Sequence, residues 1–436
     1  MEIKCSLNTF RQSETTFIEG DAAYLKRVEY YPIDFKTFKQ LKPMVKAVGV
    51  TDEFKKVIDT FKVPEGETPA GFKIEYQLEE DGVLRADLVR DIAYDKNGQL
   101  RPTNVLFSAD SANPYEVAPI KNILANLTCN PGIIYDLFIN NPEANVGNQF
   151  KTRDEVMAEI GRILGPGADI SVELNDPFGK SDAEILEEAA KFKEMLSEYR
   201  VVIKVPHTGP VSQETVSQLL EGDKKFSIPA DAPGTAEALR GHNIALMLKE
   251  HGYRVNFTLM FEPYQTALAL QARPYFINSF IRHRFIQSKL MSDNLAAYEV
   301  TRDKKFLEAI RKMFMDKDYL CKGQDMELLD IKHMAEELLR YRHFDSCEGK
   351  DGLDGVRHNL RWFKNTNLED TRLIICSMEG PFNYPDIDKL LMEKEFEDLI
   401  NRVVITAEPA YLARFTSCNQ VVSYQRRFMN AANGQK

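Results

Sequence analysis

Several signatures that would narrow the function quickly are missing from this chain of 436 residues. Its six cysteines, Cys5, Cys129, Cys321, Cys347, Cys376 and Cys418, are scattered, with no CxxC pair. That spacing favours buried or reduced thiols over a disulfide framework or a structural metal site. The seven histidines show no HExxH or comparable spacing, so no metal is expected, and only ligands that meet in the fold would change this. No GxGxxG turn follows a strand, which argues against a dinucleotide-binding sheet. There is no run of about 18 apolar residues. The N-terminus, MEIKCSLNTF, lacks a basic segment followed by an apolar one, so neither a membrane span nor a signal peptide is expected and a cytoplasmic location is the default. Positive charge is in deficit too: a net charge of −10 speaks against nucleic acid or an anionic membrane as the main partner.

What is present is an ordinary soluble composition, 43% hydrophobic and 28% charged. The length suffices for a barrel of about 250 residues with additions. The most informative stretch is RVVIKVPHT, residues 200–208, where Val201, Val202, Ile203 and Val205 describe a strand buried on both faces. Lys204 sits inside it. Such an ammonium is costly to bury unless it is paired or loses its proton, and a desolvated lysine makes an amine that attacks carbonyls. A lysine at a strand end, snorkelling to water, fits the same nine residues.

The neighbouring apolar runs each deliver a polar residue near their ends. NVLFSAD ends in Asp110, NLTCNPG contains Asn130, ADISVEL carries Glu173, and RVNFTLMF alternates Asn256 and Thr258 with apolar residues. Strands are expected at 104–109, 125–129, 168–174, 200–205, 254–261, 275–281, 371–377 and 401–406. Amphipathic helices lie between them, such as DAEILEEAAKFKEMLSEY, with Ile185, Leu186, Ala189, Phe192 and Leu196 at helical spacing, and TAEALRGHNIALMLKEHG, closed by Gly252. This rhythm predicts an α/β fold, a (β/α)8 TIM barrel spanning 104–436, with inward polar residues converging at the C-terminal ends of its strands.

Residues 1–103 read as an N-terminal α+β extension of unnamed role. Helices are expected in FKTFKQLKPMVKAV and DEFKKVIDTFK, a loop in VPEGETPAGF, and a hairpin across EEDG and DKNG. A helical insertion at about 285–370, between the sixth and seventh strands, is expected as an interface element, a cover for the site, or both. It includes NLAAYEVTRDKKFLEAIRKMF, DMELLDIKHMAEELLRYRHF, the loop EGKDGLDG and Trp362. Self-association as a homo-oligomer stays open.

Taken in order, SADSANPYEV, TCNPGII, SVEL, VVIKVPHT, NFTLMFEPYQ and FINSFI resemble the transaldolase and fructose-6-phosphate aldolase family over about 104–415. The resemblance implies class I chemistry with no cofactor: Lys204 as the Schiff-base lysine, Asp110 as the acid/base of carbon–carbon cleavage, and Glu173 with Thr258 holding a catalytic water. It implies that Asn130 and Asn256 orient substrate hydroxyls and the lysine. Glu173, where the aldolases carry glutamine, and Phe280, where they carry a tyrosine acid/base, look like transaldolase proper, which transfers a dihydroxyacetone-type unit instead of releasing it.

Other positions depart from the pattern. His283 stands where the family has an arginine that binds the acceptor's phosphate, flanked by Arg282 and Arg284. Ser377 is kept after the seventh strand, but Glu379 replaces a second cation, and a carboxylate repels a phosphate dianion. Gly132 replaces a serine. The implied function is ketol transfer between sugars or sugar phosphates, as in the pentose phosphate pathway. A class I aldolase that releases its donor and a non-catalytic sugar-binding barrel are the alternatives.

Overall fold

The computed structural model describes residues 4–13, 15–61, 68–95, 97–165, 168–196, 200–232 and 234–434. Eight parallel strands close on themselves in chain order: β1 Leu106–Asp110, β2 Leu124–Thr128, β3 Asp169–Glu173, β4 Arg200–Pro206, β5 Arg254–Thr258, β6 Phe276–Phe280, β7 Arg372–Cys376 and β8 Val403–Ala407. The last pairs with the first, Val404 opposite Leu106 and Ala407 opposite Ala109, so the (β/α)8 barrel expected from the strand–helix rhythm is closed.

The side-chain period of two explains how one short strand serves two cores. Along β4, Ile203 and Val205 point out to the helices, while Val202 points in with Leu106, Phe276, Ile374 and Val404. Above that apolar layer the inward positions turn polar. Outside, the helix Asp182–Met195 starts at Ser181, whose hydroxyl accepts from the Glu184 N–H while the Glu184 carboxylate accepts from the Ser181 N–H, and buries Ile185, Ala189 and Phe192. The helix Thr235–Glu250 is followed by Gly252, whose φ of +79° suits glycine at a helix end.

The N-terminal region forms a four-stranded sheet in the order Thr16–Phe17, Ala47–Val50, Val83–Arg90, Phe72–Leu78, with its own core of Leu25, Val48, Phe54, Leu84 and Leu88 among others. EEDG is the turn of an antiparallel hairpin, whereas DKNG closes only the single bridge between Tyr94 and Leu100. Residues 63–67 of the expected loop lie outside the described residues. The helix expected across 35–48 ends at Leu41, and Ala47–Val50 is a strand in the middle of the sheet. Pro43 has no N–H to continue the helix's hydrogen bonds. The region also reaches the barrel: Ile92, which follows the last strand of the sheet, packs with Val202, Phe276 and Val404 and closes the barrel's N-terminal end.

The insertion is a small helical bundle. Arg282–Thr301, Lys305–Asp316 and Leu328–Tyr341 share a core of Met291, Leu295, Ile310, Phe314 and Ile331, and Asp354–Phe363 returns to the barrel. The single helix expected over 294–314 is broken at Arg302, which takes a left-handed φ of 56°, and Asp303 caps the next helix through the Lys305 N–H at 3.0 Å. The bundle touches the loop after β4: Lys225 pairs with Asp318 at 2.9 Å and Lys322 with Asp223 at 3.1 Å. It thus stands beside the end of the barrel where its strands finish, as a cover would.

Candidate active site

Lys204 faces the barrel interior near the C-terminal end of β4 and is 4% exposed. Its strand neighbours set its company. The register puts Glu173 of β3 on one side and Asn256 of β5 on the other, with Thr258 opposite Pro206 one layer higher. Glu173 Oε2 lies 3.2 Å from Lys204 Nζ, which also donates to the Cys129 carbonyl at 3.5 Å. Burial alone would push the ammonium down, but the charges of Glu173 and Asp110 outweigh it and hold the group above the ordinary lysine value. Pairing, not proton loss, is how this lysine is buried at rest. Asp110, at the end of β1, moves the other way: burial raises its carboxyl to about 6, with the Lys204 charge opposing only in part.

The lining carries unspent hydrogen-bonding capacity. Asp110 Oδ1, Thr128 Oγ1, Asn256 Nδ2, Thr258 Oγ1 and Thr406 Oγ1 are buried with no hydrogen-bond partner among the described residues. Each such group costs about 1–3 kcal/mol when left unsatisfied, so a barrel end that keeps five of them suits a hydroxyl-rich guest. Asn278 of β6 organises one of them. It donates to Asn256 Oδ1 at 2.5 Å and to the Phe257 carbonyl at 2.8 Å, which turns the Asn256 amide N–H groups toward the interior. Asn130 is partly committed, since its Oδ1 accepts from the Ile133 N–H at 2.9 Å in the first turn of the π-helix Gly132–Ile139. The Cys129 thiol is pushed up to about 12 by burial, so its proximity to Lys204 does not make it a nucleophile.

Arg282, His283 and Arg284 do not continue a strand. β6 stops at Phe280, close to the expected end at 281, and these three open the helix Arg282–Thr301, so helical spacing sets which way each one faces. They face different surroundings. Arg284 is 2% exposed and pairs with both Glu262 and Asp354, which commits it to the fold. Burial lowers the His283 pKa; its Nε2 is 3.9 Å from Glu262 and its ring meets Phe261 edge-on. Arg282 stays at the rim, donating to the Met378 carbonyl at 2.7 Å, but Glu379 at 3.4 Å and Glu408 at 3.7 Å flank it. Ser377 holds a left-handed φ of 60°, and its carbonyl accepts from the Arg282 N–H at 3.0 Å. Phe280 packs on Phe261, ring centres 4.7 Å apart. A phosphate reaching this rim meets one arginine and two carboxylates.

Behind the rim, Glu262 ties the barrel to the insertion, pairing with Arg284 and, at 3.2 Å, with Arg342, itself 1% exposed. Despite burial, His283 together with Arg284 and Arg342 holds its carboxyl at about 2, well below an ordinary glutamate. A depressed pKa gives stability that is complete above the unfolded value near 4.3 and is lost as pH falls from there toward about 2. Glu262→Ala should therefore destabilise the fold by about 3–5 kcal/mol at pH 7, since it strands Arg342. The difference between the two proteins should narrow below pH 4 in denaturant titrations. A loss under 1 kcal/mol at pH 7 would show that the network contributes little.

Sequence reasoning passed over Asn278, Thr128, Thr406 and Glu408. The first three share the inward parity of their strands with Phe280, Asn126 or Val404, which was the available signal. Residues 107–314 match the Transaldolase/Fructose-6-phosphate aldolase family, which bears out the resemblance read from the strand motifs. The match ends inside the insertion, so β7 and β8, with Ser377 and Glu379, lie beyond it. No curated protein matches the chain. The family and the closed barrel support an aldolase-like, sugar-processing enzyme.

Proposed function

We propose that this aldolase-like barrel transfers a dihydroxyacetone-type ketol unit between sugars through a Schiff base on Lys204, without a cofactor. The observation that carries the reading is the buried Lys204, 3.2 Å from Glu173 and within the field of Asp110. The resting ammonium must first give up a proton, and Glu173 is placed to take it. The free amine then adds to the donor's ketone, and the carbinolamine loses water to form a protonated imine. Glu173 and Thr258 flank Lys204 on the two adjacent strands, where a shuttling water could be held between them. Asp110, ionising near 6, is suited to remove the hydroxyl proton as the carbon–carbon bond breaks. The bonding electrons pass to the imine, leaving an enamine on Lys204 and releasing the first aldehyde. Attack of the enamine on a second aldehyde reverses the steps. Asn256, aimed by Asn278, and Asn130 hold hydroxyls of the bound unit, while Arg282, His283 and Ser377 stand nearest the acceptor's far end.

Transfer wins over release in this reading because Phe280 offers no proton to the enamine. The test is to incubate the enzyme with fructose 6-phosphate or fructose, reduce with borohydride, and weigh the protein. A mass gain on Lys204 is expected. With an aldehyde acceptor present, wild type should transfer in excess of releasing dihydroxyacetone, and Glu173→Gln with Phe280→Tyr should raise release relative to transfer by about tenfold. A wild-type enzyme that only releases is an aldolase. One that traps no ketose is neither, and the sugar-binding alternative then stands.

A further inference from the structure

The opposite end of the barrel carries an excess of positive charge. Arg90 enters from the N-terminal sheet, and Arg200, Arg254 and Arg372 are the first residues of β4, β5 and β7. Three of these guanidiniums lie 4.6, 4.9 and 5.9 Å from the ring centre of Tyr275. Asp169 answers Arg90 at 2.9 Å and Arg200 at 2.5 Å, and Asp91 answers Arg372 at 3.1 Å. Arg254 has no equivalent: among the described residues no carboxylate lies within salt-bridge distance of it. Burial, with the charge of Arg90 added, lowers it to about 10. A guanidinium taken out of water among like charges is costly unless something answers it.

A cavity of about 480 Å³ opens between the N-terminal sheet and this end of the barrel, lined by Arg90, Arg200 and Arg254 inside and by the exposed Lys56 and Lys193. Two carboxylates line it as well: Glu53 is 3.3 Å from Lys56, while Asp87 accepts from the Thr51 hydroxyl at 2.5 Å and keeps its negative charge. Lys193 has no carboxylate in salt-bridge range among the described residues. A second cavity, which Arg254 also lines, holds Glu369 and Asp370 with Lys249 and Arg273. In a chain of net charge −10, a lining in which cations outnumber carboxylates, with Arg254 and Lys193 lacking a carboxylate in salt-bridge range among the described residues, marks a place for an anion. Several guanidiniums and an ammonium converging from different elements match the oxygens of a phosphate better than a single carboxylate.

We propose that this cavity binds a small phosphate-bearing anion through Arg254, Arg90 and Lys193, at a site separate from the catalytic end. Arg200 starts β4 and Lys204 lies four residues on, about 13 Å away at 3.3 Å per residue. Calorimetry on the full chain with inorganic pyrophosphate tests it. Wild type should bind with an affinity that falls as salt rises. Arg254→Gln should weaken binding at least about tenfold, and Arg282→Gln, at the catalytic rim, should leave it unchanged. Should Arg254→Gln fail to fold, the surface charge reversal Lys193→Glu decides, with a loss of about tenfold expected. No binding by wild type at millimolar pyrophosphate, or binding that survives these substitutions or is lost in Arg282→Gln, would overturn the proposal. None of these outcomes bears on the chemistry of Lys204.

Discussion

Lys204→Ala is expected to abolish ketol transfer, lowering kcat by roughly 10⁴-fold or more, and to remove the borohydride-trapped ketose adduct altogether. The covalent route has no substitute here, because no other amine is described beside Glu173 and Asp110 inside the barrel end. The variant should still fold. Loss of the ammonium leaves two neighbouring carboxyls, and Asp110, already ionising near 6, can take up a proton to relieve them. Lys204→Met, which keeps the volume and the apolar contacts of the side chain, serves as the better-packed control. Mass mapping after reduction is the measurement. An adduct of wild-type yield in either variant, located on another lysine, would remove the catalytic assignment of Lys204 and return it to an ion pair that fastens β3 to β4.

The barrel was legible because parallel strands buried on both faces read as short apolar runs, and the polar residues that interrupt those runs at alternate positions stand out. Lys204 among four β-branched residues is the plainest example, and Glu173, Asn256 and Thr258 follow the same rule. The signal fails where a polar residue looks ordinary in its strand, as Asn278 does in FINSFI. It fails again at strand ends, where one residue decides between alternation and helical spacing, so the motif FIRHR alone did not show which of 282–284 faces the site. Ion pairs between remote residues leave no local trace. Arg284 meets Asp354 from 70 residues away and Arg342 meets Glu262 from 80, so the network behind the rim could only be seen folded. The same holds for Arg90 and Ile92, whose link to the barrel comes from tertiary packing.

Asp110→Asn should separate the cost of the site from its use. The acid/base assignment predicts a fall in kcat/KM of about 10²- to 10⁴-fold, since the amide can neither take nor return the hydroxyl proton. It also predicts which limb of the pH profile disappears. With the carboxyl raised to about 6, the base form is lost as pH falls through 6, so wild type should show an acidic limb there and the variant's residual activity should not. Stability should move in the opposite sense to activity. A folded pKa above the unfolded value near 3.9 means that the neutral form suits the fold, so the stability it gives is whole below about 4 and is lost as pH rises through about 6. At pH 7.5 the wild-type carboxylate therefore strains the barrel end, and Asp110→Asn should be more stable than wild type by about 1–3 kcal/mol, with the two proteins converging near pH 4. Such a gain is characteristic of a charge kept for chemistry against the preference of its surroundings. Denaturant titrations at the two pH values, alongside the pH–rate profile, measure both halves. A variant less stable than wild type at pH 7.5, with the acidic limb unchanged, would show that Asp110 is a structural partner of Lys204 and that another group moves the proton.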